Sequence, residues 1–467
     1  MTLPVTPRNN LGFVLLVSGV AALGGFLFGY DSGCINGAVT ALQKAFGASD
    51  IGSGFNVASM LLGCAVGAFM AGGLADRFGR RTTLLWAAVF FGVSAWGSGI
   101  ANSSPEFVIY RLIGGFAVGA ASIISPAYIS EIAPAQYRGR LTSLQQMAIV
   151  LGLFFAFLVN FLIAKAAGGA SEVFALGYPA WRWMFWAELA PVLLFFFGLL
   201  FIPESPRYLV AAGQMDEAVK IMGRLADPAT AQAEVQRIAA TLETNRRPSL
   251  RDLIDRMTGK VRPVVWVGVV IAALQQLVGI NVVFYYGEVL WRAAGFSEGD
   301  ALRINVISGI INVASTLVAI ALVDKWGRKP LLLVGSLGMA FFLGILAWVF
   351  GAAATDAAGN LTLSGPTGWI ALISANLYIV AFGMSWGPVM WVMLGEMFPN
   401  QARGAALAVA GFSQWMTNFL VTMTFPIFLA RIGLGGAYAL YAGFALLSFF
   451  IVRAAVRETK GKTLEEM

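Results

Sequence analysis

Histidine is absent from this chain of 467 residues. Any proton chemistry therefore runs on carboxylates, and neither a Ser-His-Asp triad nor a histidine metal centre can be assembled. Cysteine is nearly absent as well. Cys34 and Cys64 stand in apolar runs, without metal-ligand or redox spacing, and read as small buried hydrophobes. Charge is scarce: Asp, Glu, Lys and Arg make up 12% of the residues, about half the share in a soluble domain. No Gly-x-x-x-x-Gly-Lys-Ser/Thr loop occurs, so nothing points to nucleotide drive. No cofactor, metal or enzymatic centre is expected.

What is present is apolar. Hydrophobic residues make up 58% of the chain and the mean hydropathy is +0.76, the profile of a polytopic membrane protein. Thirteen Trp and 54 Gly suit interfacial aromatic belts and close helix packing. The net charge of +7 comes from residues in short loops between apolar spans, so topology explains it and nucleic acid does not.

Hydropathy places spans near 11–38, 54–75, 82–101, 106–128, 141–165 and 182–202, then 263–290, 303–323, 331–352, 369–394, 404–426 and 435–456. The expected architecture is an all-α membrane protein of two six-helix bundles, 1–202 and 263–456. A polar insert of short amphipathic helices, 203–262, separates them, and 457–467 forms a tail. The apolar run after Arg8 is longer than a signal-peptide core and lacks a clean cleavage site, so it reads as the first span. Of the 31 Lys and Arg, Lys44, Lys165, Arg182, Arg292, Arg303 and Arg431 fall outside, Arg111 falls within a span, and the remaining 24 or so fall inside. That bias puts both termini and the insert in the cytoplasm.

The halves repeat. Asp76-Arg77-Phe78-Gly79-Arg80-Arg81 follows span two and Asp324-Lys325-Trp326-Gly327-Arg328-Lys329 follows span eight. Glu131-x-x-Pro134-x-Gln136-x-Arg138-Gly139 follows span four and Glu396-x-x-Pro399-x-Gln401-x-Arg403-Gly404 follows span ten. Two repeats related by an axis along the membrane normal place a ligand site at their interface. The basic turn residues can meet Glu131, and Asp324, Arg328 and Glu396 offer the same in the second half. Such charges either latch helix ends in one state or serve topology alone.

The stretch Gln275-Gln276-Leu277-Val278-Gly279-Ile280-Asn281-Val282-Val283-Phe284-Tyr285-Tyr286 sets amides and phenols inside a bilayer-length run. Unpaired polar groups in hydrocarbon cost several kcal/mol, as an order of magnitude. These groups therefore face a partner helix, as glue, or a wet cavity. Gly279 lets the helix break, and Gln, Asn and Tyr suit a neutral, hydroxyl-rich ligand. Trp386-Gly387-Pro388-x-x-Trp391 joins a breaker to two aromatics, serving either packing or a sugar's C–H face. Asn312 and Gln414-Trp415 add polar groups in apolar surroundings. Asp31 would cost about 2.5–3.5 kcal/mol or more if unpaired in a span. Arg111 is its natural partner, either as a static pair or as a switch in which Asp31 takes up a proton when the two separate. Glu188 is a second, weaker carboxylate of this type.

At these residues the chain resembles the sugar porter family of the major facilitator superfamily, over nearly its whole length. It is most similar to bacterial xylose or glucose–proton symporters. The motifs are Gly72 to Arg81, Glu131 to Arg140, Pro203-Glu204-Ser205-Pro206-Arg207, Gln275-Gln276 with Gly279-Ile280-Asn281, Asp324 to Lys329, and Glu458-Thr459-Lys460-Gly461-Lys462. The resemblance implies alternating access, with sugar held mostly by the second bundle through Gln275, Gln276, Asn281, Tyr285, Asn312, Trp391 and Gln414. It implies that Asp31 binds the proton and Arg111 pairs with it, since passive members carry a neutral residue at Asp31. The implied cytoplasmic network comprises Asp76, Arg77, Arg81, Glu131, Arg138, Glu204, Arg207, Asp324, Arg328, Glu396 and Arg403.

Two positions depart from the family. The fifth span usually has a sugar-binding Gln after a Gly, whereas Leu153 follows Gly152 here, which opens specificity to another sugar or a polyol. Arg457 stands where Pro is usual. The expectation is a monomeric proton-coupled symporter of a monosaccharide in the bacterial inner membrane, in contact with lipid and not with nucleic acid. The alternative is a proton-independent sugar or polyol uniporter. A sensor that binds without transporting would add a long signalling tail, and this chain stops a few residues past Lys462.

Overall fold

A computed structural model describes residues 10–134, 137–225, 228–244, 253–255, 258–355, 361–363, 366–398 and 402–460. Gln136, Pro399, Gln401, Gly461 and Lys462 of the motifs lie outside these. In the first half, α1 (Leu11–Cys34) leads through a 3₁₀ turn to α2 (Val39–Phe46). There follow α3 (Asp50–Phe78), α4 (Arg80–Ile100), α5 (Ser104–Ile132), α6 (Arg138–Ala167), α7 (Ala180–Trp186) and α8 (Leu189–Phe201). Three short helices, α9 (Pro206–Ala211), α10 (Met215–Leu225) and α11 (Pro228–Thr244), form the insert. The second half has α12 (Pro263–Leu277), α13 (Ile280–Tyr285), α14 (Gly287–Ala293), α15 (Glu298–Trp326), α16 (Arg328–Ala352), α17 (Pro366–Gly383), α18 (Trp386–Met397) and α19 (Arg403–Ala455). Two short antiparallel strand pairs, Val173–Ala175 with Tyr178–Pro179 and Ala354–Thr355 with Leu361–Thr362, lie between helices.

These elements form twelve membrane-length passages in two six-helix bundles. The 53-residue α19 is two of them, because Gly433 breaks it at φ 69° and ψ 177°. Other passages are broken where the sequence read one span: α12, α13 and α14 share 263–290, α17 and α18 share 369–394, and Ala187–Glu188 separates α7 from α8. The missed second break falls between Tyr285 and Gly287, the glycine that starts α14; Tyr286 between them donates to the Thr422 carbonyl at 3.0 Å.

The repeat is visible in the caps. Ser49 begins α3 by accepting the Gly52 N–H at 3.2 Å, and Ser297 begins α15 by accepting the Asp300 N–H at 3.1 Å. Gly79 and Gly327 turn the chain into α4 and α16 at φ 94° and 91°, a region that suits glycine. Glycine also sets the spacing between helices. A Cβ on Gly29 of α1 would lie 1.8 Å from the Ile149 carbonyl oxygen, so α1 and α6 meet backbone to backbone. The bundles touch along α3 with α19 and α6 with α15. Large apolar side chains on the outside, such as Phe69 and Phe201, face where acyl chains would lie.

Candidate functional site

Residues from the second bundle meet where two helices break. At φ 83°, Gly279 ends the α12 run, and Tyr378 donates to the freed Val278 carbonyl at 2.8 Å. Gln275 then bridges both breaks: its Nε2 donates to the carbonyls of Trp386 at 2.9 Å and Gly387 at 3.3 Å, at the start of α18. The amides continue as a chain. Gln276 Nε2 donates to Gln275 Oε1 at 3.1 Å, Asn281 Nδ2 to Gln276 Oε1 at 2.6 Å, and Gln414 Nε2 to Gln275 Oε1 at 3.4 Å. Gln414 Oε1 is buried with no partner among the described residues. It is therefore an acceptor waiting for a donor.

The remaining expected contacts surround that chain. Tyr285, buried, stands beside Ser32 of the first bundle and Asn418. Asn312 is buried where α15 meets α17, next to Gly383. Trp391 keeps 38% of its surface open. Trp386 is fully buried and donates to the Leu332 carbonyl and Ser336 Oγ at 3.1 and 2.9 Å, so it anchors the break and offers no free edge. Leu153 packs against Gly33 of α1.

In the first bundle, Arg111 Nη1 donates to Asp31 Oδ1, and both residues are 1% exposed. Nη2 also lies 2.8 Å from Met60 Sδ, and the guanidinium sits 5.9 Å over the Phe185 ring. Asp31 Oδ2 and Arg111 Nε have no partner among the described residues. Glu188 is equally buried, and its carboxylate, the Asp31 carboxylate and the Cys34 sulfur lie within 4.8 Å of one another. Two carboxyl groups thus lie together, and Asp31 is the one that pairs with the guanidinium. Arg111, Met60 and Ser32 of the first bundle meet Tyr285 of the second around a crevice too tight to admit a water. Cys34 and Cys64 are free and buried, as the sequence suggested.

The charge network at the end carrying the termini differs from the expected roll. Arg80, quoted in the motif but left out of that roll, is the pivot. It reaches Glu131 Oε2 and Asp76 Oδ1 at 3.1 Å each. Arg81 instead donates to the carbonyls of Leu199 and Leu200 at the end of α8. Arg77 lies 5.2 Å over the Phe78 ring. Arg138 and Arg207 are exposed and make no ion pair among the described residues. Glu204 Oε1 accepts the backbone N–H groups of Arg80, Arg81 and Ser205 at 2.8–3.1 Å, and Ser205 Oγ donates to Glu131.

The second bundle repeats this. Arg328 binds Glu396 at 2.7 Å and Asp324 at 3.2 Å. Glu458 accepts from the N–H groups of Arg328 and Lys329 at 3.0 and 2.9 Å, and Thr459 Oγ1 donates to Glu396 at 2.5 Å. Arg403 donates to the Phe398 carbonyl at 3.2 Å. Each network closes within one bundle. Pairing Glu204-Ser205 with Glu458-Thr459 was a signal present in the sequence and missed.

At the opposite end, bonds cross between the bundles. Asn36 Nδ2 donates to the Phe284 carbonyl at 2.8 Å, and Asn36 Oδ1 accepts from Asn305 Nδ2 at 2.7 Å and the Glu288 N–H at 3.2 Å. Thr40 donates to Glu288 Oε2 at 2.7 Å, and the Ala170 N–H to Glu298 at 2.7 Å. Sequence reading passed over these residues, because a single Asn or Thr near a span end carries no periodic or motif signal.

Comparison with known proteins agrees with this geometry. The family described as "Sugar (and other) transporter" matches residues 17–467. The glucose transport protein of Synechocystis is 54% identical over 465 residues, covering 99% of each chain. The D-xylose-proton symporter of Escherichia coli is 40% identical, covering 98% of this chain and 96% of that one. Among solved structures, a partially occluded inward-open form of the E. coli xylose transporter XylE superposes with TM-score 0.83 at 37% identity, covering 97% of this chain and 100% of that one. The same symporter bound to 6-bromo-6-deoxy-D-glucose gives TM-score 0.79 at 39% identity, covering 98% of both chains. With twelve apolar passages, two repeats and these matches, the chain is a multi-pass membrane protein belonging to the sugar porters of the major facilitator superfamily.

Proposed function

We propose that this protein is a proton-coupled symporter that carries a monosaccharide into the cell by alternating access, with 1–202 and 263–456 as the two moving bodies. It sits in the bacterial inner membrane as a monomer, with both termini, the 203–262 insert and the 457–467 tail on the cytoplasmic side. The Lys and Arg bias supports that orientation. The observation that carries the reading is the linked pair of sites: an amide chain with a free acceptor at Gln414, and Tyr285 of the second bundle standing beside Arg111 of the buried Asp31–Arg111 pair.

A sugar hydroxyl that donates to Gln414 Oε1 completes the chain through Gln275, Gln276 and Asn281. Tyr285 and Asn312 supply further polar contacts, and Trp391 covers an apolar sugar face. Coupling follows from charge. If movement of the first bundle draws Arg111 away, Asp31 needs a proton in place of the guanidinium, and it releases that proton when the pair reforms. The networks around Arg80 and Arg328 hold each bundle's cytoplasmic ends together during the motion. The bonds that cross between the bundles at the outer end support a state closed on that side.

The relatives named for glucose and for xylose support a hexose or pentose. Leu153, packed on α1, contributes no hydrogen bond, so the second bundle sets recognition. The test is sugar-driven alkalinisation outside energised-free vesicles. Proton uptake stoichiometric with labelled sugar supports symport. Sugar entry without proton movement assigns the protein to uniport instead.

A further inference from the structure

One buried acid plays no part in this scheme. Glu288 is the second residue of α14 and is 2% exposed. Its carboxylate lies between the bundles: Oε2 accepts from Thr40 at 2.7 Å, and Oε1 accepts from Arg292, one turn along the same helix, at 3.2 Å. Its own N–H donates to Asn36, which also binds Asn305. A cleft of about 640 Å³, lined by Thr40, Val289, Arg292 and Phe296, opens beside it. Protons from the outer solution therefore have a short route to it.

We propose that Glu288 is a second proton-binding residue, a latch that closes the outer end as it is protonated, independently of Asp31. The inference rests on the alternating-access reading above. The Thr40 bond crosses between bundles, so it exists only when that end is shut. Opening returns the carboxylate to water, whereas closing strips that water away. Removing water disfavours the charged form.

The charged groups facing Glu288 do not cancel this effect. Arg292 is on its own helix, keeps 43% of its side chain exposed, and stays within reach in both states. Glu298, at the start of α15, is acidic and opposes the charge further. The first bundle contributes the neutral side chains of Asn36 and Thr40. Closure and protonation therefore favour each other: acid outside shuts the outer end, and alkali opens it. Glu288 is a positioning residue in this account and need not touch the sugar.

The experiment reads distance, not transport. Spin labels at Lys44→Cys and Arg303→Cys, exposed residues at the outer end of opposite bundles, are placed in full-length protein with Cys34→Ala and Cys64→Ala, in proteoliposomes. The short-distance population is expected to rise about three-fold or more between about pH 8 and about pH 5.5. Glu288→Gln keeps the acceptor for Thr40 without the charge, and should hold that population high at both pH values. Thr40→Val should lower it and shift the titration toward acid. Asp31→Asn should leave the titration in place. A flat response in the parent, an unchanged titration in Glu288→Gln or Thr40→Val, or its loss in Asp31→Asn overturns the proposal. An intact titration together with sugar uptake that moves no protons would remove symport and leave the latch standing.

Discussion

Glu204 and Glu458 hold equivalent places in the two repeats. Each carboxylate accepts the first backbone N–H groups of the helix that follows a positive-φ glycine, Glu204 at α4 and Glu458 at α16. Each is followed by a hydroxyl residue, Ser205 or Thr459, that donates to the acid of the neighbouring loop, Glu131 or Glu396. A negative charge at a helix N-terminus meets unpaired N–H groups and the positive end of the dipole together.

The cap at Glu458 gives an acid-sensitive joint. Burial pushes this carboxyl upward, but the N–H groups of Lys460, Arg328, Lys329 and Thr459 outweigh it and hold the group below its usual range. A depressed carboxyl stabilises the docked tail fully above its ordinary pKa and loses that effect as pH falls through the lowered value. Hydrogen exchange at Arg328 and Lys329, corrected for intrinsic rate, should accelerate only in acid. Glu458→Gln should show the faster exchange at neutral pH, at a cost of about 1–2 kcal/mol.

Asp31→Asn should abolish accumulation of labelled sugar against a gradient while sparing exchange between the two sides. The variant leaves the Arg111 charge buried and unpaired, so a loss of stability of about 3–5 kcal/mol should accompany it. Accumulation that persists in this variant would remove Asp31 from the coupling.

Gln414→Ala and Gln275→Ala should separate two contributions. Gln414 offers one acceptor, and its loss should raise the half-saturating sugar concentration about ten-fold. Gln275 also ties the α12 break to the start of α18, so Gln275→Ala should weaken binding further and lower the melting temperature of the empty protein. Equal melting temperatures for the two variants would confine Gln275 to ligand contact.

Two glycines should behave oppositely. Gly29→Ala drives a methyl into the Ile149 backbone, which cannot yield as a side chain tip would, and should prevent recovery of folded protein. Gly72→Ala meets nothing within 4 Å on an exposed helix face and should be neutral or stabilising by about 0.5–1 kcal/mol. Expression and size-exclusion profiles read both.

Much of this was legible before any coordinates. The spans, the repeat, the break at Gly279 and the Asp31–Arg111 pair follow from apolar length, matched motifs and the cost of polar groups in lipid. What escaped notice depends on contacts distant in sequence. Arg80 rather than Arg77 meets Glu131 because α3 ends at Gly79 and turns only the later side chain inward. Asn36, Thr40 and Glu288 acquire meaning only from the opposite bundle, some 250 positions away in the chain. The break at Tyr286 did carry a local signal, the adjacent Gly287, which passed unread.

Because Glu458 and Thr459 fasten onto α16 and Glu396, the segment beyond the twelfth passage is a structural part and not a loose appendage. A deletion starting at Val456, or a tag fused directly there, would uncap the ninth passage some 130 residues upstream. Tags meant to leave this transporter undisturbed belong beyond the docked segment, where their removal should change neither yield nor melting behaviour.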